Sequence, residues 1–351
     1  MYSLQLSKSF VPAQTDDSVR EITVGGLLRE IAAQFPLAPA LVEVNMAGQT
    51  GRRWTYGELL AESEKLALAF ASRFSPGEHI VVWAPNIPEW LLMEYACALA
   101  GIVLVTANPA FQAKELRYVL EQSDSVALFL IESYRGNPMS KIATKATDGL
   151  DAIREIVSLE EPTALYRIGE RMAALPNVAP GDAVQIQYTS GTTGFPKGAV
   201  LSHRGLVNNA RYYAKRCDVR QESTWINIMP MFHTSGCGMV TLGCLQAGCR
   251  MVLVSLFDPA IINSLIERER VTVILCVATM VVALVEAQKK SPRDLSSLEV
   301  VSCGGSVIAP ELVRNARNTL GCKFLLLYGQ TEFSPVITQH YRNTSLADAI
   351  F

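Results

Sequence analysis

The segment Tyr188-Thr189-Ser190-Gly191-Thr192-Thr193-Gly194-Phe195-Pro196-Lys197-Gly198 gathers four aliphatic hydroxyls, three glycines and one lysine into a single turn. Glycines let backbone N–H groups approach an anion closely, hydroxyls add donors, and the lysine ammonium adds a point charge. That combination suits a polyphosphate. The spacing is not the GxxxxGK-Ser/Thr pattern of ordinary nucleoside triphosphatases: Pro196 intervenes, and Lys197 is followed by Gly198 instead of a hydroxyl residue able to reach magnesium. Three other segments carry chemistry-bearing residues. Tyr328-Gly329-Gln330-Thr331-Glu332 follows the apolar run KFLLL, where a parallel sheet places its ligand loops. Cys303-Gly304-Gly305-Ser306 follows LEVVS, and Pro230-Met231-Phe232-His233-Thr234-Ser235-Gly236 follows WINIM.

The elements that must position these residues repeat as strand, turn and helix. Thr55 with Glu58 forms a capping box that opens a helix over Tyr56–Phe74, ended by Ser75, Pro76 and Gly77. HIVVWA from His79 is a strand, Ile87–Ala100 a helix closed by Gly101, IVLVT a strand, and Asn108-Pro109 a turn. A helix through Glu115 and Leu120 leads to the strand VALFLI from Val126. The signal weakens between Tyr134 and Asp182, with only EIVSL near Glu155 resembling a strand. The alternation then resumes through VQIQY, a helix after His203, WINIM, a helix around Met239, MVLV, a helix from Pro259, VTVILCV, LEVVSCG, a helix from Pro310 and KFLLLYG. Apolar strands alternating with amphipathic helices predict an α/β fold with largely parallel sheets covered on both faces. A boundary near Pro176–Pro180 divides residues 1–180, a first α/β subdomain, from residues 181–351, a second one carrying the hydroxyl-rich loop and the YGQTE segment.

Composition narrows the function. With 49% hydrophobic and 18% charged residues in a chain of 351, wholesale disorder is excluded as an expectation, and about two lobes are predicted. Lys plus Arg number 31 against 33 Asp plus Glu, so no excess charge points to nucleic acid or an anionic membrane. The eight cysteines show no CxxC and no histidine partners at zinc spacing, and are read as free buried thiols of a cytoplasmic protein. The most apolar run, from Val271, is short of the ~20 residues that span a bilayer and is read as a strand turning into a helix.

YTSGTTGFPKG, continued by AVLSH to His203, resembles residue for residue the phosphate-loop signature of the adenylate-forming superfamily of acyl-CoA synthetases and other AMP-binding enzymes. YGQTE, PMFHTSG and CGGS resemble its further signatures at the same order, with weaker likeness in RWTYGELL from Arg53 and in Ala100–Phe111. The resemblance implies the layered sheets of that family's N-terminal domain. It also implies ATP, magnesium and coenzyme A as cofactor and cosubstrates, and a small carboxylic acid as substrate. Carried over by position, Thr189, Ser190, Gly191, Thr192, Thr193, Gly194 and Lys197 embrace the β- and γ-phosphates. Tyr328 stacks on adenine within the loop Tyr328, Gly329, Gln330; Thr331 contacts the α-phosphate; Glu332, with Thr189, holds magnesium. Gly304, Gly305 and Ser306 wall the acyl pocket and approach adenine. Lys197, Thr331, Glu332 and His233 are the expected catalytic group. His233 borders the acyl pocket and is not assigned as a base, because a carboxylate is already ionised at neutral pH.

Amino-acid adenylating relatives place an aspartate where His233 stands, to pair with the substrate amine; its absence favours a plain, fatty acid. Ala278 departs from the family's usual proline. The family's ribose-binding aspartate, hinge and C-terminal lid domain with its lysine have no counterpart in these 351 residues, and the final RNTSLADAIF lacks a helix stop. The chain is therefore expected to be an N-terminal portion that adenylates poorly alone. Loading of a carrier protein, a binding module without catalysis, and a homodimer are left open.

Overall fold

The computed structural model describes residues 18–170, 174–189 and 196–343. Its strands, in chain order, are β1 (Pro39–Val44), β2 (Thr50–Thr55), β3 (His79–Trp83), β4 (Val103–Thr106), β5 (Ser125–Leu130), β6 (Glu155–Ser158), β7 (Ala183–Thr189), β8 (Lys197–Ser202), β9 (Thr224–Asn227), β10 (Arg250–Val254), β11 (Val273–Cys276), β12 (Val300–Cys303), β13 (Lys323–Gly329) and β14 (Val336–Gln339). They form two sheets. The larger is ordered β14-β13-β12-β11-β9-β10-β1-β2 and the smaller β6-β5-β3-β4-β7-β8. Every pairing is parallel except β1 with β2, β13 with β14 and β7 with β8, all at sheet edges. The α/β alternation read from the sequence is thus the observed architecture.

Both sheets draw strands from either side of residue 180. β1 and β2 join the sheet built from residue 224 onward, and β7 and β8 complete the sheet that begins with β3. The pairing of β1 with β10 sets Leu41 beside Met251, bringing distant parts of the chain together. Successive residues of one strand serve different cores. Trp225 and Leu275 face a core shared with the smaller sheet, whereas Ile226 and Ile274 face a second core across the larger sheet. Because the side-chain period of a strand is two, this division accounts for strands such as β9, β11 and β12 being buried throughout.

The helix Pro88–Ala100 has every residue but Glu89 buried, so it is a core helix and not an amphipathic cover. Its Glu94 carboxyl, pushed well above the ordinary carboxylate range by burial, accepts a hydrogen bond from Gln185 Nε2 on β7 at 2.8 Å. The capping box at Thr55 forms as expected and opens the helix Tyr56–Ala71: the Thr55 hydroxyl accepts from the Glu58 N–H, and Glu58 Oε2 accepts from the Thr55 N–H at 2.8 Å. Asp258 caps the helix Pro259–Arg268 by accepting from the Ala260 and Ile261 N–H groups at 2.9 and 3.0 Å. The expected helix around Met239 begins as a π-helix over Ser235–Thr241 before continuing as the α-helix Leu242–Ala247. Among the described residues, no helix is long and apolar enough to cross a membrane.

Candidate active site

β7 and β8 form an antiparallel hairpin with Thr189 opposite Lys197, so these two residues stand at the root of the hydroxyl-rich loop. The Thr189 hydroxyl lies 3.5 Å from the Lys197 carbonyl. Ser190, Gly191, Thr192, Thr193 and Gly194 lie outside the described residues. The hairpin root is propped by the helix Ala113–Gln122. Tyr118 donates its hydroxyl to the Pro196 carbonyl at 2.9 Å, and the Tyr188 hydroxyl bonds Gln122 Oε1 and the Val119 carbonyl. Burial pushes the Tyr188 phenol up to about 12, so it is a neutral donor at any physiological pH. Neither Tyr118 nor Gln122 announced itself in the sequence, since each is one residue of an ordinary amphipathic helix.

At the far end of β13 the chain turns through the short helix Thr331–Phe333, and β8 packs against that turn. The two motifs therefore meet, although they belong to different sheets. The Lys197 ammonium and the Glu332 carboxylate are exposed and have no hydrogen-bond or ion-pair partner among the described residues. Tyr328 is 55% exposed, and its hydroxyl accepts from Gln330 Nε2 at 3.0 Å.

Beside this junction is a cavity of about 500 Å³ at the carboxyl ends of β9, β11, β12 and β13. Its apolar wall includes Met229, Met239, Leu275, Met280, Leu327 and Val336; His233, Ser235, Gln330 and Thr331 bring polar groups to it. Of the residues expected at the acyl pocket, Gly304, Gly305 and His233 line this cavity, whereas Ser306 is exposed and does not; Gly329 and Gln330, expected at adenine, and Thr331, expected at the α-phosphate, line it as well. Sequence reasoning missed the methionines and leucines of the wall. Met229, Leu275 and Leu327 sit near strand ends, and Met239 and Met280 in the helices Ser235–Thr241 and Ala278–Lys290, places that many buried residues share.

His233 keeps accessible surface where it borders the cavity, yet packing around the ring pushes its pKa below the ordinary histidine value. Its Nδ1 accepts from the Ser235 N–H at 3.3 Å and lies 3.1 Å from the Ser235 hydroxyl. A neutral ring fits both contacts and makes no claim on the substrate's charge. The carbonyl of the preceding Phe232 accepts from the Thr106 hydroxyl at 2.9 Å, and that hydroxyl is 3.3 Å from Gln187 on β7. This buried link ties the cavity rim to the strand that enters the phosphate-type loop.

A magnesium site is tested by the donors present. Among the described residues no group of three or more His, Cys, Asp or Glu is placed to hold a metal. Magnesium does not require one: it commonly takes one or two carboxylates and draws its other oxygens from substrate phosphates and water. The unpartnered Glu332 carboxylate and the Thr189 hydroxyl fit that donor set.

The comparisons with known proteins agree with this geometry. The chain is 32% identical over 355 residues to a Bacillus subtilis protein named as the acyl-CoA synthetase YngI, covering 92% of this chain and 63% of that protein. It is 30% identical over 367 residues to the human mitochondrial medium-chain acyl-CoA ligase ACSF2, covering 95% and 59%. The chain thus spans about three fifths of the length of the curated relatives it matches. Among solved structures, the long-chain-fatty-acid-CoA ligase FadD1 of Archaeoglobus fulgidus superposes with a TM-score of 0.84 at 22% identity, over 97% of this chain and 70% of that one. The N-terminal domain of FACL13 from Mycobacterium tuberculosis does so with 0.77 at 21% identity, over 93% and 81%. These likenesses establish the fold. The family model described as AMP-binding enzyme matches residues 28–349, nearly the whole chain, and the chain belongs to that family.

Proposed function

We propose that this chain carries the site at which a carboxylic acid, and in our reading a fatty acid, is activated by ATP to an acyl-adenylate for transfer to coenzyme A. The observation that carries the reading is the meeting of the β7–β8 hairpin root with the Thr331–Phe333 turn beside an apolar cavity. A lysine, a threonine and a glutamate converge there next to a wall suited to an alkyl chain. The substrate carboxylate attacks the α-phosphorus, a P–O bond forms, and pyrophosphate leaves with the bonding pair of the broken anhydride. Lys197 offsets charge on the terminal phosphates. Thr331 donates to the α-phosphoryl oxygens, and Glu332 with Thr189 would hold magnesium. Bound magnesium neutralises the triphosphate so that one anion can approach another. The apolar wall excludes water from the mixed anhydride, and His233, held neutral, borders the ionised carboxylate without adding a charge beside it. The thiol of coenzyme A then displaces AMP at the acyl carbon.

The fatty character rests on the methionine- and leucine-lined cavity and on the absence of an acidic residue at position 233 to receive a substrate amine. The eight cysteines are free and buried, which supports a reducing compartment, the cytoplasm in our reading. The test is dodecanoate-dependent ATP–pyrophosphate exchange, together with calorimetric titration of ATP in magnesium. Slow acid-dependent exchange, with ATP bound only by a protein retaining Lys197 and Glu332, is the expected result. An absence of ATP binding, or equal binding by Lys197→Ala and Glu332→Gln, overturns the assignment.

A further inference from the structure

The helix His203–Arg216 starts where β8 ends, at its Ser202 cap, and one of its faces follows the chain from Phe333 to Gln339. On that face Asn209 uses its whole amide. Nδ2 donates to the Phe333 carbonyl at 3.1 Å and to the Val336 carbonyl at 2.8 Å, while Oδ1 accepts from the Val336 N–H at 3.0 Å. Bonds to both the N–H and the carbonyl of one residue are what a neighbouring strand would supply; here a single side chain supplies them. Gly205, four residues earlier, lets the same helix approach the turn: a Cβ at that position would lie 2.7 Å from the Ser334 hydroxyl. At the other end of the face Arg216 Nη1 donates to the Gln339 carbonyl at 2.9 Å.

The turn held in this way is already closed on itself. Phe333 N–H donates to the Gln330 carbonyl and Ser334 N–H to the Thr331 carbonyl, both at 3.0 Å, and Gln330 N–H donates to the Pro335 carbonyl at 2.9 Å. The helix therefore grips a shaped unit containing Thr331 and Glu332. Lys197 sits on β8, which runs directly into the same helix. One rigid element thus sets the separation of the two motifs, and Asn209 is its principal polar tether to the acidic turn.

We propose that Asn209 is a positioning residue for magnesium-bound ATP, fixing Thr331 and Glu332 relative to the Lys197 hairpin. This rests on the reading of the site given above. Residues that orient a metal-holding group commonly change metal affinity by ~10- to 100-fold when replaced. The discriminating quantity is the gain in ATP affinity that magnesium confers, measured by calorimetry with ATP in magnesium and with ATP in EDTA. The wild type is compared with Asn209→Ala and Asn209→Asp. The aspartate is isosteric and keeps the acceptor for the Val336 N–H, but it sets a carboxylate oxygen against the Phe333 and Val336 carbonyls, so alanine is the neutral probe of the lost donations and circular dichroism checks that each variant is folded.

Both variants are expected to cut the magnesium-dependent gain about tenfold and to lower ATP affinity in EDTA far less, through Thr331 alone. An unchanged gain, or a parallel fall in both buffers as a merely structural role would give, overturns the proposal and leaves the function standing. A wild-type protein that binds no ATP, or binds it equally in both buffers, overturns the reading of the site and this proposal with it.

Discussion

Replacing His203 by asparagine is expected to flatten the acid side of the stability curve. His203 opens the helix His203–Arg216 and is 1% exposed. Its Nδ1 accepts at 3.2 Å from the N–H of Val24, the first residue of the helix Val24–Gln34 and one of the donors that a helix start leaves without an internal partner. Only an unprotonated Nδ1 can accept that bond. Desolvation pushes the imidazole from 6.5 down to about 4, against the opposing pull of Asp182. The unfolded chain therefore binds a proton first as pH falls. The contribution of the neutral ring to stability is complete above pH 6.5, declines between 6.5 and 4, and is gone below 4.

At ~1.4 kcal/mol per pH unit, the full interval is worth roughly 3 kcal/mol, of which about 2 kcal/mol is already lost at pH 5. Asparagine presents an acceptor oxygen near the place of Nδ1 and does not titrate. Urea unfolding followed by tryptophan fluorescence at pH 8 and pH 5 measures the effect, and the difference between the two proteins cancels every other titrating group. The wild type should lose about 2 kcal/mol more than His203→Asn between these pH values. Equal losses in the two proteins would refute the buried neutral histidine as the source of acid sensitivity, whatever the absolute stability of the variant.

Two further outcomes follow from packing. Gly236→Ala places a Cβ 2.3 Å from the Pro230 carbonyl oxygen, against the backbone beside His233, and is expected to lower stability by about 1–3 kcal/mol; an unchanged thermal midpoint contradicts the tight turn. All eight cysteines are buried, and burial pushes the Cys303 and Cys322 thiols up to about 12, so a colourimetric disulfide reagent should titrate none quickly in the native chain and all eight after denaturation. One fast-reacting thiol would be inconsistent with this packing.

The parts of the fold legible in the sequence are those whose signal is local. The Thr55–Glu58 box, the Pro259 and Pro310 helix starts and the apolar parallel strands each carry their information within a few residues. β2, with sequence TGRRWT, is half exposed and has no apolar alternation until β1 is beside it, and β1 is itself anchored through β10. β14 is likewise an exposed edge, defined by β13 and by Asn209. The helix Met139–Thr147 hides in the weak stretch after Tyr134 because only Met139, Ile142, Ala143 and Ala146 are buried. The π-helix after Thr234 has no local signature, since the crowding of Gly236 against Pro230 exists only once the turn is closed. The phosphate-type loop and the acidic turn were legible as chemistry, and their meeting followed from the family resemblance, which gave Thr189 and Glu332 one magnesium; the sheet order and edge pairing that bring it about are not written in a motif.

The means by which that meeting is held is a general consequence of building a site beyond strand ends. There the backbone leaves the sheet ladder, and each buried N–H and carbonyl must find another partner. Asparagine meets the need with one short side chain that both donates and accepts. Asn86, after β3, does for the cavity rim what Asn209 does for the acidic turn. Its Nδ2 donates to the Met229 and Val254 carbonyls at 2.9 and 3.1 Å, and its Oδ1 accepts from the Met231 N–H at 2.8 Å. Asn86 reaches from the smaller sheet to the larger, and Asn209 from the helix after β8 to the turn after β13. Aspartate lacks the donors and glutamine is a methylene too long for the same close geometry, so these two positions tie the loops of one sheet to the other without a strand between them.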